Sequence, residues 1–286
     1  MKRIRKAPCG RARLAMLVGG AAALLLLALG VAARRMAPPK IGGEPWNEPD
    51  GVTVSILGDS ISTFKGYIPT EDGVNRKHAA FYPNRDLRRV EDTWWAQVID
   101  RMDGRLGVNE SWSGSRVLNT MDGNEGNLGE DAAMASMTRI RNLGSNGNPQ
   151  VILFFGGTND ISFGSPLGVF DPDQAPREAE LTASKWETFS EAYTAAILRM
   201  QHLYPQATIY ALSPTENLTH YDAQKRDEYV GVMREICRHY NVPFIDLTEE
   251  GFSTAMLADG THPSREGMAR IADIVLGHCS SEGTSP

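Results

Sequence analysis

Five short apolar runs, separated by stretches of helical period, constrain this chain more than any other feature. They are 52–57 (VTVSIL), 106–108, 151–155 (VILFF), 208–212 (TIYAL) and 243–247 (PFIDL). VILFF is apolar at every position, as a strand covered on both faces must be. Between the runs, Trp186, Phe189, Tyr193, Ile197, Met200 and Tyr204 recur at steps of three and four, the spacing of one helix face. Met268, Ile271, Ala272 and Val275 repeat in the same way between Ser264, an expected N-cap, and Gly277, an expected stop. Such alternation specifies an α/β fold with a five-stranded parallel sheet and helices on both faces. Ligands of these sheets sit outside the carboxyl ends of the strands. Chemistry is therefore expected just after each run.

The first forty residues read as an address. Six cations (Lys2, Arg3, Arg5, Lys6, Arg11, Arg13) precede the uncharged run 14–33, and Arg34, Arg35 and Lys40 follow it. That bias places the N-terminus in the cytoplasm and the rest outside. A run of 20 residues is long enough to cross a bilayer as a helix, which favours an uncleaved hydrophobic anchor that partners a membrane. Ten of the 20 are Ala or Gly, and Val31-Ala32-Ala33 suits a cleavage site, which favours a signal peptide. Both readings stay open, and both export the remainder. Residues 34–50 have a Pro- and Gly-rich linker composition, 51–279 form the folded domain, and 280–286 read as a disordered tail.

Charge and cysteine usage exclude several classes. The first forty residues hold nine Lys/Arg and no acid, so the remainder carries 20 basic against 35 acidic side chains. An acidic body speaks against a nucleic-acid partner, which needs clustered cations. Three cysteines in 286 residues exclude a disulfide scaffold. Cys9 lies in the cationic segment. Cys237 either pairs with Cys279 in an oxidising space or packs as a small core residue beside Tyr229, Met233, Ile236 and Tyr240. No His has metal-ligand spacing to a Cys, Asp or Glu group, and no phosphate-binding glycine motif follows a strand, so neither metal nor cofactor is expected. Asn109 and Asn217 head glycosylation patterns.

Four polar blocks follow the runs in order. Gly58-Asp59-Ser60-Ile61-Ser62 follows the first, placing the Ser60 hydroxyl and N–H at an expected helix start. Asn109 to Ser115 follows the second, with Gly114 able to present an uncrowded N–H. Gly156-Gly157-Thr158-Asn159-Asp160 follows the third, and Asn159 can offer an amide donor. Asp259-Gly260-Thr261-His262-Pro263 lies beyond the fifth, where an Asp three residues before a His can orient the imidazole. Singly, each block has a plainer reading: an N-cap at Ser60, a loop glycine at Gly114, a turn at Asn159, a surface turn at Asp259. Asp59 and Asp160 are read as structural acceptors.

Together the blocks resemble the SGNH (GDSL) hydrolases, serine esterases and deacetylases on a flavodoxin-like three-layer α/β/α sandwich. The resemblance spans 52 to about 278, nearly all of the exported body. It implies that Ser60 is the nucleophile, His262 the general base and then acid, and Asp259 the residue that holds the imidazole. It implies an oxyanion hole of the Ser60 and Gly114 N–H groups and the Asn159 amide. Ester cleavage through an acyl-enzyme needs such parts: an activated hydroxyl, a proton shuttle and fixed donors. Glycine does not stand two residues after Ser60, so this is not the G-x-S-x-G elbow.

Residues 64–112 hold seven aromatics in 49 positions, against 8% in the whole chain. The segment 64–92 is too long for a simple crossover and is expected to cover the site, its aromatics giving flat faces to a sugar or acyl group. Trp94 and Trp95 begin a helical pattern, and one of them is expected in the core. Exported relatives with such a GDSIST start and TWW segment imply an O-acyl glycan or small-molecule ester as substrate. Two alternatives remain: acyl transfer to a sugar at the same site, and a catalytically silent glycan-binding module.

Overall fold

The structure is a computed structural model that describes residues 51–68, 80–118, 133–183 and 185–281. The anchor or signal peptide expected at 1–33, the linker at 34–50 and most of the expected tail lie outside the described residues. Among the described residues, no helix is long and apolar enough to cross a membrane.

Five strands form one parallel sheet: β1 (Thr53–Gly58), β2 (Arg105–Ser111), β3 (Val151–Phe155), β4 (Thr208–Leu212) and β5 (Phe244–Ile245), in the order β2-β1-β3-β4-β5. The helices are α1 (Trp94–Arg101), α2 (Met137–Asn142), α3 (Thr158–Ser162), α4 (Phe189–Leu203), α5 (Ala223–His239) and α6 (Arg265–Ser281). Side chains alternate across the sheet with the strand period of two. Val54, Ile56, Leu153, Phe155, Tyr210 and Leu212 join a core with α1 and α6. Leu57, Ile152, Phe154, Ile209 and Ala211 join a second core with α2, α4 and α5. The sheet is thus covered on both faces, as its unbroken apolar strands require.

Caps fix where the helices begin. Thr188 and Glu191 form a capping box at α4, so that helix starts after Trp186 rather than at it. Ser264 Oγ accepts the Gly267 N–H at 3.2 Å, capping α6. Gly277 does not end α6, contrary to expectation. It is absent from the positive-φ residues, and the helix continues through it to Ser281. Cys237 and Cys279 do not pair: they pack into the cores on opposite faces of the sheet.

Strand ends deviate from the apolar runs where polar residues are buried. The second run extends through Asn109, Glu110 and Ser111, all buried. Asn109 Nδ2 donates to the Ser62 carbonyl at 2.9 Å, a bond that occupies the amide of the first glycosylation pattern. The fifth run keeps only two paired residues. Its Asp246 turns to the guanidinium groups of Arg226 and Arg234.

Register places the site. Gly58, Phe155 and Leu212 end neighbouring strands side by side, and Ser111 pairs with Gly58 at the other flank. The chain order reverses between β1 and β3, the switch point where this topology opens a crevice. Ser60 follows β1 and Asn159 follows β3, one on each side of it.

Candidate active site

Ser60 opens a single 3-10 turn, Ser60–Ser62, rather than the expected α-helix. The cause is local. Asp59 caps the turn by accepting the Ile61 N–H at 3.0 Å. The Ser60 carbonyl is taken by both the N–H and the Oγ1 of Thr63, at 3.3 and 2.8 Å. An α-helix would need that carbonyl for the fourth residue on. Ser60 itself is 7% exposed.

The loop bearing Asp259 and His262 is fastened at both ends. Leu257 and Pro263 form an antiparallel bridge, and Ala258 N–H donates to the His262 carbonyl at 2.8 Å. Gly260 has φ +88, a left-handed conformation that suits glycine. It lets the chain fold back so that Asp259 Oδ1 accepts the N–H groups of Thr261 (3.0 Å) and His262 (2.7 Å). The loop reaches the strand ends because the segment after β4 holds it there. Leu218 N–H donates to the Gly260 carbonyl at 2.8 Å, and Asn217 Nδ2 donates to Thr261 Oγ1 at 3.1 Å.

The result is a continuous polar line. His262 Nε2 lies 2.9 Å from Ser60 Oγ, and His262 Nδ1 lies 2.9 Å from Asp259 Oδ2. Partial burial pushes the Asp259 carboxyl up, but the N–H groups of His262 and Thr261 and the imidazole outweigh it and hold the carboxyl below its ordinary value. Burial draws His262 below its ordinary value of 6.5, with Asp259 opposing and nearby His220 reinforcing. A neutral imidazole is thereby favoured, the form that can accept a proton.

The donor side is built around Gly58 and Ser115. The Gly58 carbonyl accepts Trp112 N–H and Ser115 Oγ, each at 3.2 Å. This holds the 112–115 turn against the strand that delivers Ser60. Gly114 has φ +78, and a Cβ there would meet nothing within 4 Å. Asn159, on α3, donates Nδ2 to the Ser115 carbonyl at 2.9 Å, which ties the amide to the Gly114 turn and leaves it a second N–H. Asp160 braces the same region, accepting Val117 N–H at 2.8 Å and Leu118 N–H at 2.9 Å. Burial raises its carboxyl to about 6. Among the described residues no group of three or more His, Cys, Asp and Glu is placed to hold a metal ion.

Sequence reading missed two contributors. Phe81 stacks on the His262 ring, with centroids 3.5 Å apart; the aromatic density of 64–112 pointed to the segment but not to the residue. Arg139, fully buried under the strand ends, had no signal, since nothing in MTRIRN shows which way an arginine turns. Trp94 and Trp95 are both fully buried, where one was expected.

A family model of GDSL-like lipases/acylhydrolases matches residues 52–279. A GDSL-like lipase from Bacteroides uniformis is similar in structure, with TM-score 0.62 and 32% identity over 81% of this chain and 96% of that one. A second, from Bacteroides ovatus, has TM-score 0.60 and 28% identity over 81% and 99%. A carbohydrate acetylesterase from Sinorhizobium meliloti shares the fold, with TM-score 0.53 and 15% identity over 81% and 99%. No curated protein matches in sequence. The family match covers most of the chain, and on that ground the chain belongs to the GDSL-like lipase/acylhydrolase family and is a carboxylic ester hydrolase.

Proposed function

We propose that the protein is a serine esterase that works through an acyl-enzyme, with Ser60, His262 and Asp259 as its triad. The observation that carries this reading is the hydrogen-bonded line from Ser60 Oγ through His262 to Asp259, 2.9 Å at each link.

Ser60 Oγ attacks the ester carbonyl as its proton passes to His262 Nε2. Asp259 holds the ring with Nδ1–H toward its carboxylate and stabilises the imidazolium that forms. The carbonyl oxygen becomes an oxyanion, taken by the N–H groups of Ser60 and Gly114 and the Asn159 amide. The intermediate collapses as His262 returns the proton to the leaving alkoxide, releasing the alcohol. Water then repeats the sequence on the acyl-Ser60 and releases the acid.

The substrate class is a small ester or an O-acyl group on a carbohydrate. Supporting it are the acidic body, which disfavours anionic substrates, and the fold shared with a carbohydrate acetylesterase. The test is turnover of a chromogenic acetate and of an acetylated oligosaccharide by the wild type and Ser60→Ala. Turnover lost in Ser60→Ala is expected. Equal rates in the two proteins would overturn the reading.

A further inference from the structure

We infer that Phe81 and Tyr82 form a positioning element that holds the His262 imidazole against Ser60. The inference rests on the reading of His262 as the general base.

The dipeptide is anchored to the nucleophile's own turn. Phe81 N–H donates to Thr63 Oγ1 at 2.8 Å, and that hydroxyl donates to the Ser60 carbonyl at 2.8 Å. The Tyr82 carbonyl accepts Lys65 N–H, also at 2.8 Å. From this anchor both side chains reach the histidine loop. The Phe81 ring lies on the His262 ring, with centroids 3.5 Å apart and planes 10° from parallel. Tyr82, 1% exposed, donates its hydroxyl to the Pro263 carbonyl at 3.0 Å. Its ring meets Phe81 edge-on at 4.9 Å and the imidazole edge-on at 6.4 Å. One two-residue unit thus grips Ser60 on one side and His262 on the other.

The stack supplies what the hydrogen bonds do not. Asp259 and Ser60 bind the ring nitrogens in the plane of the ring. They restrain its spin but weakly oppose its swinging out of that plane. A phenyl ring in van der Waals contact closes one face to that motion and to water. The groups that face the imidazole are Asp259 on its own loop, His220 from the segment after β4, the Ser60 hydroxyl and the neutral Tyr82 ring. Of these only Asp259 favours protonation, and burial opposes it. Opening the phenyl face to water should let the imidazole protonate more readily.

The experiment compares Phe81→Ala, Phe81→Leu and Phe81→Tyr with the wild type, using a chromogenic acetate and thermal melting. Phe81→Ala is expected to lower kcat by about tenfold to a hundredfold, as a misplaced general base does, with KM changed by less than about twofold. Its acid limb of kcat/KM should move to higher pH, and Phe81→Tyr should restore both rate and limb. Phe81→Leu keeps the bulk without the flat face, so it tests the idea if the alanine variant fails to fold. It should melt like the wild type and still lose kcat. Independently, the His262 ring-proton resonances should be shifted upfield by the phenyl ring in the wild type and not in Phe81→Leu. A folded Phe81→Ala or Phe81→Leu with wild-type kcat and acid limb would overturn the inference, as would unshifted resonances in the wild type. An inactive wild type would instead overturn the proposed function.

Discussion

The guanidinium of Arg139 donates to the backbone carbonyl of Gly58 at 2.9 Å, two residues before Ser60. The same nitrogen donates to the Glu110 carbonyl at 2.6 Å, so one side chain ties together the ends of β1 and β2. Its charge faces the Glu110 carboxylate and lies over the Trp112 ring, 5.0 Å from the ring centre. Burial pulls the guanidinium down to about 10 and raises the Glu110 carboxyl. The strand ends that present Ser60 and Gly114 thus depend on a buried ion pair.

Replacing Arg139 by Met should therefore be costly. It leaves the buried Glu110 carboxylate without its counter-charge, which costs about 3–5 kcal/mol when one partner of a buried pair is removed. Adding Glu110→Gln should recover part of the loss, because the two sites are coupled. Urea denaturation of both variants measures this. A loss below about 1 kcal/mol in the single variant would show that the pair is dispensable.

Asp59 predicts a pH dependence of stability. Burial raises its carboxyl from 3.8 to about 7, with the Asp160 charge adding to the shift. The folded state then binds more protons than the unfolded state between those values. Stability is lost as pH rises through the window, on the order of 4 kcal/mol by its upper end. Asp59→Asn keeps an acceptor for the Ile61 N–H and cannot ionise. It should gain on the wild type in melting temperature as pH goes from 4 to 8. A constant difference would contradict the buried neutral carboxyl.

Much of this was legible in the sequence, for physical reasons that differ by residue. β3 and β4 match their apolar runs because β-branched and aromatic residues buried on both faces leave no ambiguity. The four polar blocks were legible only together, in order after the runs, since singly each reads as a cap, a loop glycine or a turn. The extension of β2 was not, since Asn109 and Glu110 look like loop residues until Ser62, Arg139 and Asn142 are seen to pair with them. The short turn at Ser60 depends on Thr63, and the covering of His262 depends on Phe81. The first is a local side-chain bond and the second a tertiary pairing, and no periodicity encodes either.

The pH profile of catalysis follows from His262. In the proposed mechanism His262 acts when neutral, and burial draws it below 6.5. The acid limb of kcat/KM should accordingly fall below that pH rather than at it. Asp259→Asn removes the charge that fixes the tautomer, and a fall in kcat on the order of 10⁴ is expected. A profile flat to about pH 4 would deny His262 the role of base, and a small effect of Asp259→Asn would deny Asp259 its orienting role.

Asn159 is expected to act in the transition state alone. Asn159→Ala should lower kcat by about 10²–10³ with KM little changed, as loss of one oxyanion donor does. Its amide also holds the Ser115 carbonyl, so thermal melting of the variant is measured beside its kinetics. A change confined to KM would move Asn159 from oxyanion stabilisation to substrate binding.

Trapping the acyl-enzyme tests the central claim most directly. The protein is mixed with excess chromogenic acetate, quenched in acid within the first turnover, digested and mapped by mass. One acetyl group on the peptide that contains Ser60 is expected, absent in Ser60→Ala. Steady turnover with the acetyl group on another residue would contradict the account.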